Sequence, residues 1–175
     1  MSKIKVLQFS SRSADNCGVG KYQENFVHEF DEMSDEIETK FFDSSPYKTR
    51  VMGEAELSET LDRLREELQN YDILHIQHEF GLYTGDEFVR MVETAKSVGK
   101  KVVVTVHLSP ALAFDFKPRG GIGPRSMIHM LRQKRLHGIF KQRHIEGFKM
   151  ADLLFSHNDG TTRSLVGYGI DRDKI

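Results

Sequence analysis

Eight histidines stand in this chain, and three of them, His78, His107 and His157, directly follow or end short β-rich runs. Pairing holds the backbone rigidly where a strand leaves a sheet. An imidazole placed there can hydrogen-bond a ligand hydroxyl or polarise a reacting group. His107 follows the valine-rich stretch KVVVTV and is the candidate catalytic residue. A ring that merely holds a loop carbonyl is the alternative, and residue type does not separate the two. His78 with Glu79, in HIQHEFGLY, and His157, in FSHND, are candidate substrate-binding residues. Gly18, Val19 and Gly20, in CGVGKY, join them, because amides at a helix start can meet an anion or a sugar hydroxyl. A tight turn that needs small residues would explain the two glycines equally well.

Other chemistries fit the spacing poorly. A dinucleotide fingerprint needs a third glycine where Gln23 stands, and a P-loop needs Ser or Thr where Tyr22 stands and glycine where Asp15 stands. His75 and His78 are three apart on an expected strand, so they point to opposite faces and do not form a metal pair. No metal or bound cofactor is expected. Cys17 at a helix start could be activated by His107, but no cysteine-hydrolase signature accompanies the pair.

The elements that must position these residues alternate along the chain. Strands are expected over residues 4–9, 37–42, 72–77, 101–106 and 151–156. Helical stripes lie between and after them: Val19, Tyr22, Phe26, Phe30 and Met33; Leu57, Leu61, Leu64 and Leu68; Phe88, Met91, Val92, Ala95 and Val98, ending at Gly99; a helix opening at Pro124; and a short one capped by Asn158. Five β-then-α units predict an α/β fold, a doubly wound Rossmann-like parallel sheet forming one domain over 1–175. The expected strand order is 3-2-1-4-5, with ligands bound at the carboxyl ends of the strands near the switch point between strands one and four.

Apolar residues make up 38% and charged residues 29% of the chain, a globular composition. No apolar run nears the roughly 20 residues of a membrane span, and MSKIKVLQFS lacks the apolar core of a signal peptide. With Cys17 the only cysteine, a reducing cytoplasmic setting is expected. The net charge of −1 conceals segregation. Residues 117–149 hold nine of the 25 Lys/Arg and one of the 26 Asp/Glu, leaving 16 bases against 25 acids elsewhere. Such a run is either a helix with a solvated cationic face and a core-facing apolar one, or an attachment to anionic lipid through residues such as Arg132, Lys134 and Arg135. The acidic remainder and the lack of a binding motif argue against nucleic acid.

Four stretches in order, CGVGKYQENF, DILHIQHEFGLY, KVVVTVH and ADLLFSHND, resemble the N-terminal domain of family 4 type glycosyltransferases of the two-domain GT-B architecture, and the resemblance spans the whole chain. It implies one half of a GT-B fold. It places the 18–20 loop by the donor diphosphate and acceptor in an interdomain cleft, and His107 against the transferred sugar. His78 and Glu79 match a conspicuous family loop. The implied reaction is metal-free, retaining transfer from a nucleotide sugar, used as co-substrate, to a saccharide or lipid-linked acceptor. The family's C-terminal domain carries the paired glutamates that hold the donor and the Arg/Lys groups that stabilise the leaving diphosphate, and these 175 residues contain neither. The chain is therefore expected to bind acceptor, to need its own C-terminal domain, and to be inactive alone. The basic segment adds a peripheral position at an anionic inner membrane face. A stand-alone flavodoxin-like binding or regulatory module is the rival reading. A single-domain hydrolase would need a nucleophile elbow or a metal set, and neither is seen.

Overall fold

Short runs of β-branched and aromatic residues form the strands of this chain, and apolar stripes at three- and four-residue steps form its helices. The computed structural model describes residues 3–10, 18–32, 35–42, 53–115 and 124–175. Asp15, Cys17, Met33, Lys117 and Arg119 lie outside the described residues. In order come β1 (Ile4–Phe9), α1 (Gly18–Glu32), β2 (Ile37–Phe41), α2 (Glu54–Leu68), β3 (Ile73–His78), α3 (Gly85–Ser97), β4 (Lys101–Val106), α4 (Pro110–Ala113), α5 (Pro124–Met150), β5 (Leu153–Ser156) and α6 (Asp159–Gly167), then a 3-10 turn over Arg172–Lys174. Of these, α4 had no signal in the sequence pattern.

All five strands pair in parallel, in the order β2-β1-β3-β4-β5. This corrects the expected 3-2-1-4-5: β3 lies beside β1, not outside β2. The cause is legible in β2 itself. Its sequence IETKF exposes Glu38 and Lys40 and buries none of its five residues fully. Internal strands of a parallel sheet are covered on both faces and carry near-continuous apolar runs, so β2 belongs at an edge. By contrast β3 is buried from Leu74 to His78. The switch point accordingly falls between β1 and β3.

Handedness then distributes the helices. The step from β1 to β2 runs one way along the sheet, and every later step runs the other way. Right-handed crossovers therefore put α1 on one face and α2, α3 and α5 on the opposite face. Leu7, Phe9, Leu74, Ile76, Val102, Val104 and Leu154 form the sheet side of the main core beneath those three helices. Leu57, Leu61, Leu64 and Leu68 of α2 and Phe88, Val92 and Ala95 of α3 close it from above. Each of these side chains larger than alanine contributes roughly 1.5–3 kcal/mol on burial. Two aspartates pin strand starts: Asp72 accepts the Lys5 N–H at 2.9 Å, and Asp152 accepts the Val102 N–H at 2.8 Å. A capping box between Thr84 and Glu87 opens α3, and Gly99 at φ +74° closes its last turn.

The longest helix outgrows the sheet. At 1.5 Å per residue the 27 residues of α5 extend about 40 Å, whereas the six residues of β4 span about 20 Å. Phe140, His144 and Phe148 pack inward, and His137 Nε2 meets the Phe114 carbonyl at 3.2 Å. His144 already touches His78 at the carboxyl end of β3, so the turns before it project past that sheet edge. A core-facing apolar side for the basic segment thus holds only from Phe140 onward. Met127, Ile128, Leu131, Leu136 and Ile139 are all at least half exposed.

Candidate functional site

The candidate residues gather at the carboxyl edge of β3, β4 and β5. The His107 N–H donates to the His78 carbonyl at 3.0 Å, which carries the sheet ladder one residue past β4 and fixes the His107 backbone. Its Nε2 lies 2.7 Å from Gln77 Oε1, and its Nδ1 lies 3.2 Å from His157 Nε2. Tyr22 of α1 sets its ring edge-on to both imidazoles, with centroids 4.9 and 5.2 Å away. Tyr22 stands two residues beyond Gly20, so the glycine turn that opens α1 and the imidazole behind the valine-rich strand share one rim of the sheet. Among the described residues, nothing outside its own helical turn lies within 4 Å of where a Cβ on Gly18 would stand.

One assignment of the ring protons is consistent with the contacts of this cluster, the lone pair of His75 Nε2 being shared between two donors. His107 carries its proton on Nε2 and donates it to the Gln77 carbonyl. The Gln77 amide donates inward to His75 Nε2 at 3.4 Å, which also accepts from Thr105 Oγ1 at 2.9 Å. His157 Nε2–H donates to His107 Nδ1. The chain runs from the exposed His157 to the buried His75 on the face that α1 covers, with Phe26 of α1 against the His75 ring. Burial, reinforced by His157, pushes His107 down to about 4, and burial with His107 nearby does the same to His75. Both rings are therefore neutral at pH 7. A group so weakly basic serves better as a fixed hydrogen-bonding partner than as a general base at neutral pH. Gln8 and Gln23, fully buried on this same side of the sheet, place their amides without a hydrogen-bond partner among the described residues. That leaves polar capacity behind the cluster.

The other predicted residues fall elsewhere. His78 is not brought to the cluster. It points to the opposite face, fully buried, with Nε2 3.1 Å from His144 Nδ1 and its ring against Phe80, Phe88 and Phe148. Burial first, and then the neighbouring His144 and His107, hold its pKa well below the ordinary histidine value. Glu79 is half-buried at the strand exit. Burial raises its carboxyl, and the Gly81 and Phe80 N–H groups partly offset the rise. Among the described residues, no three His, Cys, Asp or Glu side chains converge as a metal site. An open groove of about 300 Å³ along α6, lined by Asp159, Thr162, Arg163, Val166 and Arg172, includes none of the candidates.

Sequence reading missed Gln77, Tyr22 and His144. The signal for Gln77 was present: His75 and Gln77 are polar at alternate positions of a strand expected to be buried, so they share a face. The pairing of His144 with a residue 66 positions away left no local trace.

The fold defines a class: a Rossmann-like parallel α/β domain of the kind that forms one half of a GT-B architecture. No protein-family model matches the chain, and no curated protein matches it. Solved structures do, among them the following two. One, from Listeria monocytogenes, is assigned as a UDP-N-acetylglucosamine 2-epimerase; it shares 14% identity at a TM-score of 0.60 over 100% of this chain and 45% of its own. The other, a UDP-N-acetylglucosamine 2-epimerase, also shares 14% identity at a TM-score of 0.60, over 99% of this chain and 47% of its own. At that identity the likeness carries the fold, and the chain spans a little under half the length of either protein. Among the described residues no helix is long and apolar enough to cross a membrane.

Proposed function

We propose that this chain is the acceptor-side half of a retaining, sugar-nucleotide-dependent glycosyltransferase. The observation that carries the reading is the Tyr22–His107–His157 cluster at the carboxyl edge of the sheet, beside the start of α1. His107, neutral and fixed by Gln77 through Nε2, offers Nδ1 to a hydroxyl of the sugar that displaces His157 from it, and His157 and Glu79 line the approach. The amides of Gly18, Val19 and Gly20 receive an anionic or hydroxyl group at the helix mouth. His78 supports this edge from behind through the His107 N–H. The charge that develops on a departing diphosphate needs preorganised cations, and these belong to a C-terminal domain of the same enzyme. The chain alone therefore transfers no sugar.

The names of the two structural neighbours favour a second reading, half of a sugar-nucleotide epimerase, in which the nucleotide sugar itself is the substrate. Titration of the purified 175-residue chain separates the two. Under the transferase reading, saccharide acceptors shift the His107 and His157 ring resonances, and His107→Ala weakens binding about five-fold, the equivalent of one net hydrogen bond. UDP-N-acetylglucosamine bound at those rings in preference to any saccharide would transfer the case to the epimerase. Glycosyl transfer or donor hydrolysis by the isolated chain would end the half-enzyme proposal.

A further inference from the structure

The projecting turns of α5 have no place in the core and none in the cluster. From Met127 to Gln142 they contain no acid. Arg143 is ion-paired with Asp86 and Glu146 at 2.7 Å each, and Lys141 lies 4.5 Å over the Tyr168 ring. Arg132, Lys134 and Arg135, in contrast, are exposed and make no ion pair among the described residues. Ile128 is 68% exposed, Leu131 58% and Ile139 50%. At 3.6 residues per turn, Ile128, Leu131, Arg132, Arg135 and Ile139 share one outward face, opposite Phe140, His144 and Phe148.

We propose that this face docks the protein on an anionic phospholipid surface. The interleaving of side chains decides between lipid and protein as the occupant. Protein interfaces deplete Lys, Glu and Asp at their apolar centre and accept arginine where its charge is matched. Here two arginines sit among the apolar side chains with no acid between Met127 and Gln142, so a protein partner would have to bring a carboxylate to each desolvated guanidinium group. At a bilayer the same mixture is satisfied: Ile and Leu enter the boundary of headgroups and acyl chains, while the arginine stems reach back to phosphates. The docking face lies past the same sheet edge as His107 and His157. Resting there on the transferase reading, it names a lipid-linked acceptor as the substrate class; the docking itself does not depend on that reading.

Co-sedimentation of the 175-residue chain with vesicles tests the docking. Phosphatidylcholine vesicles containing 30% phosphatidylglycerol, roughly the anionic content of a charged leaflet, should bind the chain, and rising salt should weaken the binding. Pure phosphatidylcholine should bind it far less. Arg132→Gln with Arg135→Gln should weaken binding about thirty-fold, as expected for two basic residues at about 1 kcal/mol each. Leu131→Ser should also weaken it, and neither change touches the core, so the circular dichroism melt should stay as in the parent. His107→Ala should bind vesicles normally, which keeps a failed transferase reading distinct from failed docking. Equal binding to neutral and anionic vesicles, or no effect of the double arginine change, would overturn the proposal. So would a concentration-dependent dimer that Leu131→Ser dissociates, which would assign the face to a protein.

Discussion

His78 and His144 share one hydrogen bond inside a shell of aromatic rings, and Nδ1 of the first and Nε2 of the second have no hydrogen-bond partner among the described residues. Burial pushes His144 down to about 4 and His78 well below its ordinary 6.5. In the unfolded chain both titrate near 6.5. Between that pH and about 4 the unfolded chain takes up protons that the folded chain refuses. Stability is therefore complete above about pH 6.5 and falls as the pH drops towards 4, by about 1.4 kcal/mol per pH unit for each histidine. Urea midpoints should be flat from pH 7 to 8 and drop steeply below 6. The His78→Leu/His144→Leu variant removes both partners together and should lose about two protons' worth of that slope, with little change at pH 7.5. An unaltered acid slope in the variant would show that the pair is not the source. At the cluster, Gln77→Glu should raise the titration of His107 by about 1–3 units, because a carboxylate favours the charged ring. Histidine ring NMR reads this directly, and an unmoved titration would mean that Gln77 does not set the state of His107. His107 and His157 were legible in sequence because each follows a strand. The core position of His78 was legible too, since it alternates in phase with Leu74 and Ile76, but its partner His144 on α5 left no local trace.

Between elements, the contact of α3 with α5 depends on two glycines. A Cβ on Gly147 would stand 2.5 Å from Phe88 Cε1, and one on Gly85 would stand 2.7 Å from Arg143 Cβ and 3.1 Å from the Phe140 carbonyl. Phe88 cannot yield easily, since it is fully buried against His78 and Phe148. Gly147→Ala should therefore cost about 1–3 kcal/mol in urea unfolding, the usual cost of overpacking. Gly138 in the same helix meets nothing among the described residues outside its helix at its Cβ position, so Gly138→Ala should instead stabilise by about 0.5–1 kcal/mol through helix propensity. Equal effects of the two changes would refute close helix packing as the reason for Gly147. The helices and strands themselves were readable from apolar spacing, and β4 falls on the residues expected of it. Their order in the sheet was read wrongly although the informative residues were in view. Glu38 and Lys40 mark β2 as an edge strand, and an edge β2 excludes β3 from the place outside it.

Across the whole molecule, the near-zero net charge is a difference between two separated populations. Residues 117–149 carry nine bases to one acid, and the rest of the chain carries 16 bases to 25 acids. Part of the basic excess is neutralised at Arg143, by Asp86 of α3 and by Glu146, while Lys141 lies over the Tyr168 ring. Arg132, Lys134 and Arg135, without an ion pair among the described residues, stand on the turns that project past the sheet edge. The sequence displayed the charge run but not the projection, because helix length against strand height becomes visible only once both are folded. A local field of this kind acts on a surface before the net charge does. At pH 7.5 the folded chain should be retained on a sulfonate resin in low salt despite its formal charge of −1. The Arg132→Gln/Lys134→Gln/Arg135→Gln variant should pass through under the same conditions. Urea should abolish retention of the parent chain, since unfolding mixes the basic run with the acids around it. A parent chain that passes straight through the resin would mean that neighbouring acids screen α5 in the folded state, and the segregation seen along the sequence would then have no counterpart in space.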